Sequence, residues 1–439
     1  MEEIQARTRP ASAVSPWTGA VGLLALLAVI LPLKTLAAAD PVGAALALMA
    51  AMTLPMAGLE LFRLRSYRAP SAGLRFLDDP APRDPGRVGY KLAGYFAALG
   101  ALWLMYGVLP IYADGRDFGS FQHLFSNFRK LVERSWGWIV LAPVPYFAWL
   151  DRRMKEPRDG YWHAGRFVLL EWQGVDRKGV AHFARSWLIK GVFLPLMTGQ
   201  LVNMMEWYGA HHEALTTFSA FYNFFYEFVW LLDLAVCALG YVFTVRILDS
   251  HIRSAEPVFL GWFAALVCYP PFWQKVTYDF LKYGDGYGWG TWLREDPEKF
   301  AYIYPVWGSM IVAVMVVYIL AEYSFGLRFS NLTNRGIVTS GPYRFCKHPS
   351  YLAKNLSWWL ISVPFVPHEG AWAAFVHSVL LLCVNGIYFL RARTEERHLS
   401  ADPAYVEYAL WMNENGWLAP LGRVLPFLRY RAPGPVSEG

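Results

Sequence analysis

Two polar segments near the C-terminus carry the residue types best suited to chemistry. The first spans residues 334–351 and ends in Gly341-Pro342-Tyr343-Arg344-Phe345-Cys346-Lys347-His348-Pro349-Ser350-Tyr351. The second contains Arg391, Glu395, Glu396, His398, Tyr405 and Tyr408. Together they offer basic donors, paired carboxylates and aromatic faces, which suits a charged cofactor held against an apolar cavity. A plainer interpretation stays open for each: Gly341-Pro342 is a turn signal, Pro349 suits a helix start, and Glu395-Glu396 could be a solvated helix face.

A short helical hairpin separates the two polar segments. Apolar runs cover about 353–367 and 371–391, and Pro364, Pro367 and Gly370 mark a turn between them. Because a hairpin returns the chain to the side it started from, the two segments must lie close together. The hairpin therefore predicts one composite site rather than two.

Apolar runs long enough to cross a bilayer fill most of the chain. Hydrophobic residues make up 55% of the 439 and charged residues 17%, less charge than soluble proteins usually carry. A spanning helix needs about 20 mostly apolar residues, and we predict ten spans, at about 18–38, 42–62, 90–112, 136–150, 186–206, 219–245, 256–274, 302–322, 353–367 and 371–391. The predicted fold is an all-α, polytopic transmembrane helical bundle, with its first span retained rather than cleaved.

The basic residues predict which side of the membrane each loop faces. With the N-terminus in the cytoplasm, the predicted inside segments hold 31 Lys and Arg residues and the predicted outside segments hold 8. Cytoplasmic loops carry such an excess, so both termini and both polar segments are expected at the cytoplasmic face, in a bacterial inner membrane. This topology also accounts for the net charge of +6, and no basic run interleaved with aromatics indicates nucleic-acid binding.

Three motifs in the same order give the C-terminal region a family resemblance. Gly-Pro-Tyr-Arg with Lys-His-Pro-Ser-Tyr (341–351), Glu-Glu-x-x-Leu (395–399) and Pro-Ala-Tyr-x-x-Tyr (403–408) resemble the isoprenylcysteine carboxyl methyltransferase and phospholipid methyltransferase superfamily over residues 331–410. The resemblance implies a membrane methyltransferase that uses S-adenosylmethionine on a prenyl, sterol-like or other lipid-soluble substrate, among membrane lipids. It implies a cofactor site formed by Gly341, Tyr343, Lys347, His348, Pro349, Tyr351, Arg391, Glu395, Glu396, Tyr405 and Tyr408, and it assigns no catalytic residue.

The resemblance divides the chain and leaves alternatives. Residues 301–431 would form the methyltransferase-like region, and residues 1–300 would supply a substrate cavity. Lys347 stands where the family usually has arginine and loses the bidentate fork, and Ala353 stands where glycine is frequent. The alternatives are an NADPH-dependent oxidoreductase similar to the sterol reductases, whose motif reads closer to Arg-His-x-Asn-Tyr, and a lipid transporter or receptor without enzymatic activity.

Several polar and aromatic residues outside the motifs also fall in or near predicted spans. Intramembrane acids are functional candidates by default, although pairing inside the bundle is the commoner reason for them; they are Glu60, Glu206, Glu227 and Asp233. Four aromatic residues could line a substrate cavity or simply pack: Trp207, Tyr222, Tyr226 and Trp230. His211-His212-Glu213 lacks a third ligand at a telling spacing, so no metal site is predicted.

Overall fold

Helices form almost all of the regular structure in the computed structural model, which describes residues 8–76, 79–109, 119–213, 215–284, 286–294, 300–366 and 368–432. The α-helices are α1 (Pro16–Ala39), α2 (Pro41–Gly58), α3 (Pro85–Val108), α4 (Gly119–Leu141), α5 (Pro143–Asp151), α6 (Gly160–Val168), α7 (Arg177–Ala210), α8 (Phe218–Val242), α9 (Phe259–Leu266), α10 (Phe272–Gln274), α11 (Trp289–Trp292), α12 (Ile303–Tyr323), α13 (Pro349–Ser362), α14 (Ala371–Leu399), α15 (Pro403–Asn415) and α16 (Ala419–Val424). Two short strands, β1 (Ser254–Ala255) and β2 (Thr333–Asn334), pair antiparallel.

Single turns of other helix types join or extend these elements. The helix α2 continues as a π-helix over Leu59–Leu64, and α10 continues as one over Lys275–Phe280. The 3₁₀ turns are Ser66–Arg68, Pro70–Ala72, Arg246–Leu248, Gly326–Arg328, Gly341–Arg344 and Pro426–Leu428. The predicted all-α class is confirmed.

Seven helices in the described part of the chain are long and apolar enough to cross a membrane. They are α1, α2 with its π extension, α3, α7, α8, α12 and α14. Each overlaps a span predicted from the sequence, and the ends of α1, α8 and α12 fall within about three residues of the prediction. Large apolar side chains on the outer surface stay exposed, such as Leu31, Trp103 and Trp372. Such a surface is compatible with a lipid environment.

Three of the ten predicted spans do not coincide with any of these seven helices. The run at 136–150 is divided between α4 and α5, where Pro143 lacks the N–H that would continue α4. The run at 256–274 is divided between α9 and α10, with Pro270 and Pro271 between them. The run at 353–367 lies in α13, which stops at Ser362 because Val363 is left-handed (φ 40°). The count of ten spans, like the side on which the termini lie, stays a prediction.

Close helix crossings pack α1 against both α12 and α7. A Cβ at Gly19 in α1 would lie 1.9 Å from the carbonyl oxygen of Tyr323 at the end of α12. A Cβ at Gly209 in α7 would lie 2.3 Å from the backbone nitrogen of Ala38. Small residues at crossings let membrane helices approach closely, so glycine is required at both positions.

A buried arginine connects the end of α8 to the segment before the first polar motif. The guanidinium of Arg335 donates to the carbonyl oxygens of Gly240 (2.6 Å), Phe329 (2.7 Å) and Ser250 (2.7 Å). These carbonyls lie at a helix end and in loops, where they lack backbone partners. The arginine therefore fixes the position of the C-terminal motifs relative to α8.

Candidate functional site

A cavity of about 810 Å³ lies between the C-terminal motifs and the central helices. Its wall includes side chains from α4, α7, α8, α12, α13 and α14, so it is built from both the N-terminal and the C-terminal parts of the chain. Ligand sites of this kind of volume are typically mostly apolar, with a few placed polar groups. The polar groups of this cavity determine what it can bind.

The start of α13 contributes an aromatic pair to the cavity wall. Pro349 occupies the first turn, where its missing N–H costs nothing. The rings of His348 and Tyr351 lie parallel, 5.4 Å apart with an interplanar angle of 2°. The Tyr351 hydroxyl donates a hydrogen bond to Oε2 of Glu395 at 2.6 Å. This bond joins the two polar segments predicted to meet across the hairpin.

Arg391 lies one helical turn before Glu395 and is fixed on several sides. Its Nη2 donates to Oδ1 of Asn331 at 2.5 Å and to the hydroxyl of Tyr269 at 3.3 Å. Its guanidinium lies 4.9 Å from the centroid of the Tyr351 ring, a distance at which cation–π attraction acts. The arginine is a fixed cation in the cavity wall.

Glu396 lies behind the cavity wall and contacts two cations and a histidine ring. Its carboxylate contacts Lys347 Nζ at 2.6 Å, His348 Nε2 at 3.3 Å and Arg393 Nη1 at 2.7 Å. Glu396 is only 4% exposed, and a buried carboxylate needs such partners to offset its desolvation. The cluster ties the first polar segment to α14 and so sets the position of His348.

Tyr405 and Tyr408 in α15 lie in a separate small core, outside the cavity. The Tyr408 hydroxyl donates to the carbonyl oxygens of Tyr343 (2.6 Å) and Cys346 (3.3 Å). Burial raises the pKa of both Tyr405 and Tyr408, so both phenols stay neutral. Tyr408 therefore holds the backbone of the first polar segment, in which Gly341 is left-handed (φ 60°), and the Tyr405 ring packs beside Tyr408.

The eleven predicted cofactor residues thus fall into two sets. The cavity is lined by Tyr343, His348, Tyr351, Arg391 and Glu395. The residues that are not part of its lining are Gly341, Lys347, Pro349, Glu396, Tyr405 and Tyr408. The second set surrounds and supports the first, and its role in cofactor binding stays a prediction.

A second polar group lines the cavity away from the motifs. Asp233, Cys237 and Glu322 each offer a ligand atom, and these atoms lie within 4.8 Å of one another. The ammonium of Lys354 lies 4.7 Å from the centroid of the Tyr318 ring. Of these five residues, only Asp233 stood out in the sequence as an acid inside a span. Glu322 and Lys354 lie at the ends of apolar runs, where they were indistinguishable from ordinary loop charges.

The other acids predicted as candidates have different surroundings. Glu227 lines the cavity. Glu60 accepts a hydrogen bond from the Thr18 hydroxyl at 2.6 Å, and Glu206 lies 3.6 Å from His123 on an exposed face. Pairing within the bundle therefore explains Glu60.

The aromatic and histidine residues singled out in the sequence also divide into residues that line the cavity and residues that pack away from it. Tyr226 and Trp230 line the cavity. The rings of Trp207 and His211 instead pack on Phe224, at 5.6 and 5.0 Å. Among the described residues, the grouping with metal-ligand geometry is Asp233, Cys237 and Glu322 rather than the histidine pair.

Comparison with known proteins finds one family model that is similar to the region of the cavity-lining motifs. Residues 305–401 match the model of the Isoprenylcysteine carboxyl methyltransferase (ICMT) family. The match begins in α12 and runs through α14, and it contains Tyr343, His348, Tyr351, Arg391 and Glu395. No curated protein and no solved structure matches the chain. The C-terminal region of this chain, over residues 305–401, is therefore similar to the isoprenylcysteine carboxyl methyltransferase family.

Proposed function

We propose that this chain is an integral membrane methyltransferase that uses S-adenosylmethionine to methylate a lipid-soluble substrate. The observation that carries the proposal is the convergence of five family-region side chains on one cavity among membrane-type helices: Tyr343, His348, Tyr351, Arg391 and Glu395. We further propose that the cofactor enters from the cytoplasm and the substrate from the bilayer, in the multi-pass topology that the charge distribution predicts.

The donor set of the cavity wall fits the charged groups of this cofactor. S-adenosylmethionine carries an ammonium, a carboxylate, ribose hydroxyls and a sulfonium. Glu395 would accept hydrogen bonds from the ammonium or the ribose, and Arg391 would attract the carboxylate. The parallel rings of His348 and Tyr351 would face the purine or the sulfonium. When bound, the cofactor supplies an electrophilic methyl group.

The residues of this chain would act by positioning and by excluding water. Methyl displacement depends on holding donor and acceptor in line, and an enclosed apolar wall prevents hydrolysis. Tyr351 fixes the Glu395 carboxylate through its 2.6 Å hydrogen bond. The Glu396 cluster fixes His348 from behind the wall. No covalent attachment to the protein is required by this chemistry.

Calorimetry on the full chain in lipid nanodiscs tests the proposal. Titration with S-adenosylhomocysteine should show saturable binding, and Glu395→Ala should weaken that binding by about tenfold or more, because one charge-assisted hydrogen-bond partner is lost. Glu206→Gln is the matched control, since Glu206 is an acid outside the cavity lining. Saturable binding of NADPH with no response to S-adenosylhomocysteine would replace the proposal with the oxidoreductase alternative.

A further inference from the structure

The part of the cavity away from the cofactor motifs has its own set of ionisable groups. Asp233 and Cys237 lie one turn apart on α8, with the thiol 3.4 Å from Oδ1 of Asp233. Glu322 projects from α12, and Lys354 from α13. Ionisable side chains among membrane helices are costly unless they serve a function or are paired. We call Asp233, Cys237, Glu322 and Lys354 the inner polar group.

One oxygen of the inner polar group lacks a partner. Glu322 is 6% exposed, and its Oε2 atom is buried and accepts no hydrogen bond. A buried acceptor without a donor is destabilising, because it has lost its hydrogen bonds to water without replacement. Because Glu322 lines the cavity, a ligand that brings an N–H or O–H donor would remove this penalty.

The formal charge around the cavity is negative. Among the described lining residues, the carboxylates are Glu227, Asp233, Glu256, Glu322 and Glu395, and the lysine and arginine residues are Lys354 and Arg391. Glu256 forms an ion pair with Arg397, whose Nη2 lies 3.3 Å from Oε1 of Glu256. Arg397 itself is not part of the cavity lining. Acids remain in excess after that pair is counted, so a cationic group is favoured inside and a further anion is disfavoured.

The position of the single lysine strengthens this selection. The ammonium of Lys354 lies over the rings of Trp230 and Tyr318, at 5.2 and 4.7 Å from their centroids. Recognition of a carboxylate or phosphate normally uses a forked arginine or several cations. The inner polar group has a single cation, Lys354, beside the two carboxylates Asp233 and Glu322. This arrangement disfavours an acidic ligand.

We propose that the inner polar group binds the methyl acceptor, and that this acceptor is an apolar molecule whose polar end is an amine, without a carboxylate or phosphate beside it. The proposal rests on the proposed function and names its substrate class. Glu322 and Asp233 attract the ammonium form and hold the amine toward the motif end of the cavity. Ser350, which follows Pro349 in the first motif, lines the same cavity as Glu322 and Tyr343.

The same carboxylates account for the proton that amine methylation releases. An ammonium has no free electron pair, so one N–H proton passes first to a carboxylate of the inner polar group. The amine nitrogen then forms a bond to the methyl carbon while the bond from that carbon to the sulfonium sulfur breaks. The electron pair of the broken bond stays on sulfur, leaving the neutral thioether S-adenosylhomocysteine and a methylated ammonium.

Binding of chain-matched probes tests the acceptor class on the unmodified protein. Dodecylamine and dodecanoic acid are titrated into the full chain in nanodiscs made from a zwitterionic lipid, with quenching of tryptophan fluorescence as the readout. We expect the amine to bind at least about tenfold more tightly than the acid, as expected for a charge-assisted hydrogen bond. Equal affinities, or tighter binding of the acid, would overturn the proposal.

Variants locate the preference in the inner polar group. Glu322→Gln and Asp233→Asn should each reduce the preference for the amine about tenfold, and the exposed Glu206→Gln should leave it unchanged. The amide replacements keep the side-chain shapes, and the comparison in the unmodified protein stands even if a variant fails to fold. An amine preference that survives both replacements would show that the nanodisc or another surface causes it.

Two further titrations separate this inference from the proposed function and from a metal site. S-adenosylhomocysteine binding without an amine preference would remove the inference and leave the proposed function. An amine preference without S-adenosylhomocysteine binding would remove the proposed function. Tight binding of Zn²⁺ that is lost in Cys237→Ser would assign Asp233, Cys237 and Glu322 to a metal and overturn the amine proposal.

Discussion

Glu395 and Glu396 are adjacent in sequence but have different surroundings. Glu395 lines the cavity and accepts one hydrogen bond, from Tyr351. Glu396 is enclosed by Lys347, His348 and Arg393. One carboxylate is therefore available to a ligand, and the other is committed to the protein.

Alanine replacements distinguish the two roles. Glu395→Ala should weaken S-adenosylhomocysteine binding with little change in thermal stability. Glu396→Ala should destabilise the protein by about 3 kcal/mol, because it leaves Lys347 and Arg393 without the buried carboxylate that pairs with both. Thermal unfolding and calorimetry on the same samples measure both effects. A Glu396→Ala protein as stable as the unmodified chain would contradict the structural role.

The Tyr351 hydroxyl provides a smaller perturbation of the same site. Tyr351→Phe keeps the ring that stacks on His348 and removes the 2.6 Å hydrogen bond to Glu395. Loss of one such bond costs about 1 kcal/mol, so S-adenosylhomocysteine affinity should fall a few-fold, by less than in Glu395→Ala. A larger loss than in Glu395→Ala would show that the hydroxyl contacts the ligand directly.

The sequence predicted the motif end of the cavity, and it singled out Asp233 at the other end without its partners Glu322 and Lys354. The predicted helical hairpin placed His348 and Tyr351 near Glu395, because the two polar segments lie at the two ends of that hairpin. Glu322 and Asp233 come from helices about 90 residues apart in the chain. Their meeting depends on how α8 and α12 cross, and tertiary packing of this kind leaves no local pattern.

The crossing of α1 and α12 gives an element-scale prediction. Gly19→Ala places a Cβ 1.9 Å from the Tyr323 carbonyl oxygen, so one helix must move. Overpacking of this type costs about 1–3 kcal/mol, and the midpoint of thermal unfolding should fall. Gly100→Ala in α3 is the control, because no heavy atom lies within 4 Å of its Cβ position. Equal midpoints for the two variants would contradict the close crossing.

Hydropathy located the uniformly apolar helices better than the amphipathic helix α4. The spans at α1, α8 and α12 begin and end near their predicted residues because one uninterrupted apolar run defines each. The helix α4 begins at Gly119, well before the predicted run at 136. Hydropathy missed this part of the helix because Arg129, Lys130 and Arg134 lie in it. An amphipathic helix of this kind produces no hydropathy peak.

Topology is the prediction at the scale of the whole molecule. The distribution of Lys and Arg places both termini in the cytoplasm and residues 206–218 outside. Alkaline phosphatase inserted near residue 212 should be active, and the same reporter fused at the C-terminus should be inactive. An active C-terminal fusion would place the polar motifs on the side that lacks the cofactor.

Transfer of a labelled methyl group tests the account most directly. Nanodisc-embedded protein is incubated with S-adenosylmethionine that carries a tritiated methyl group and with a total lipid extract, and the organic phase is counted. The account predicts time-dependent label in the organic phase for the unmodified chain and for Glu206→Gln, and label at background for Glu395→Ala. Folded protein that transfers no label to any lipid fraction would contradict the proposed methyltransferase activity.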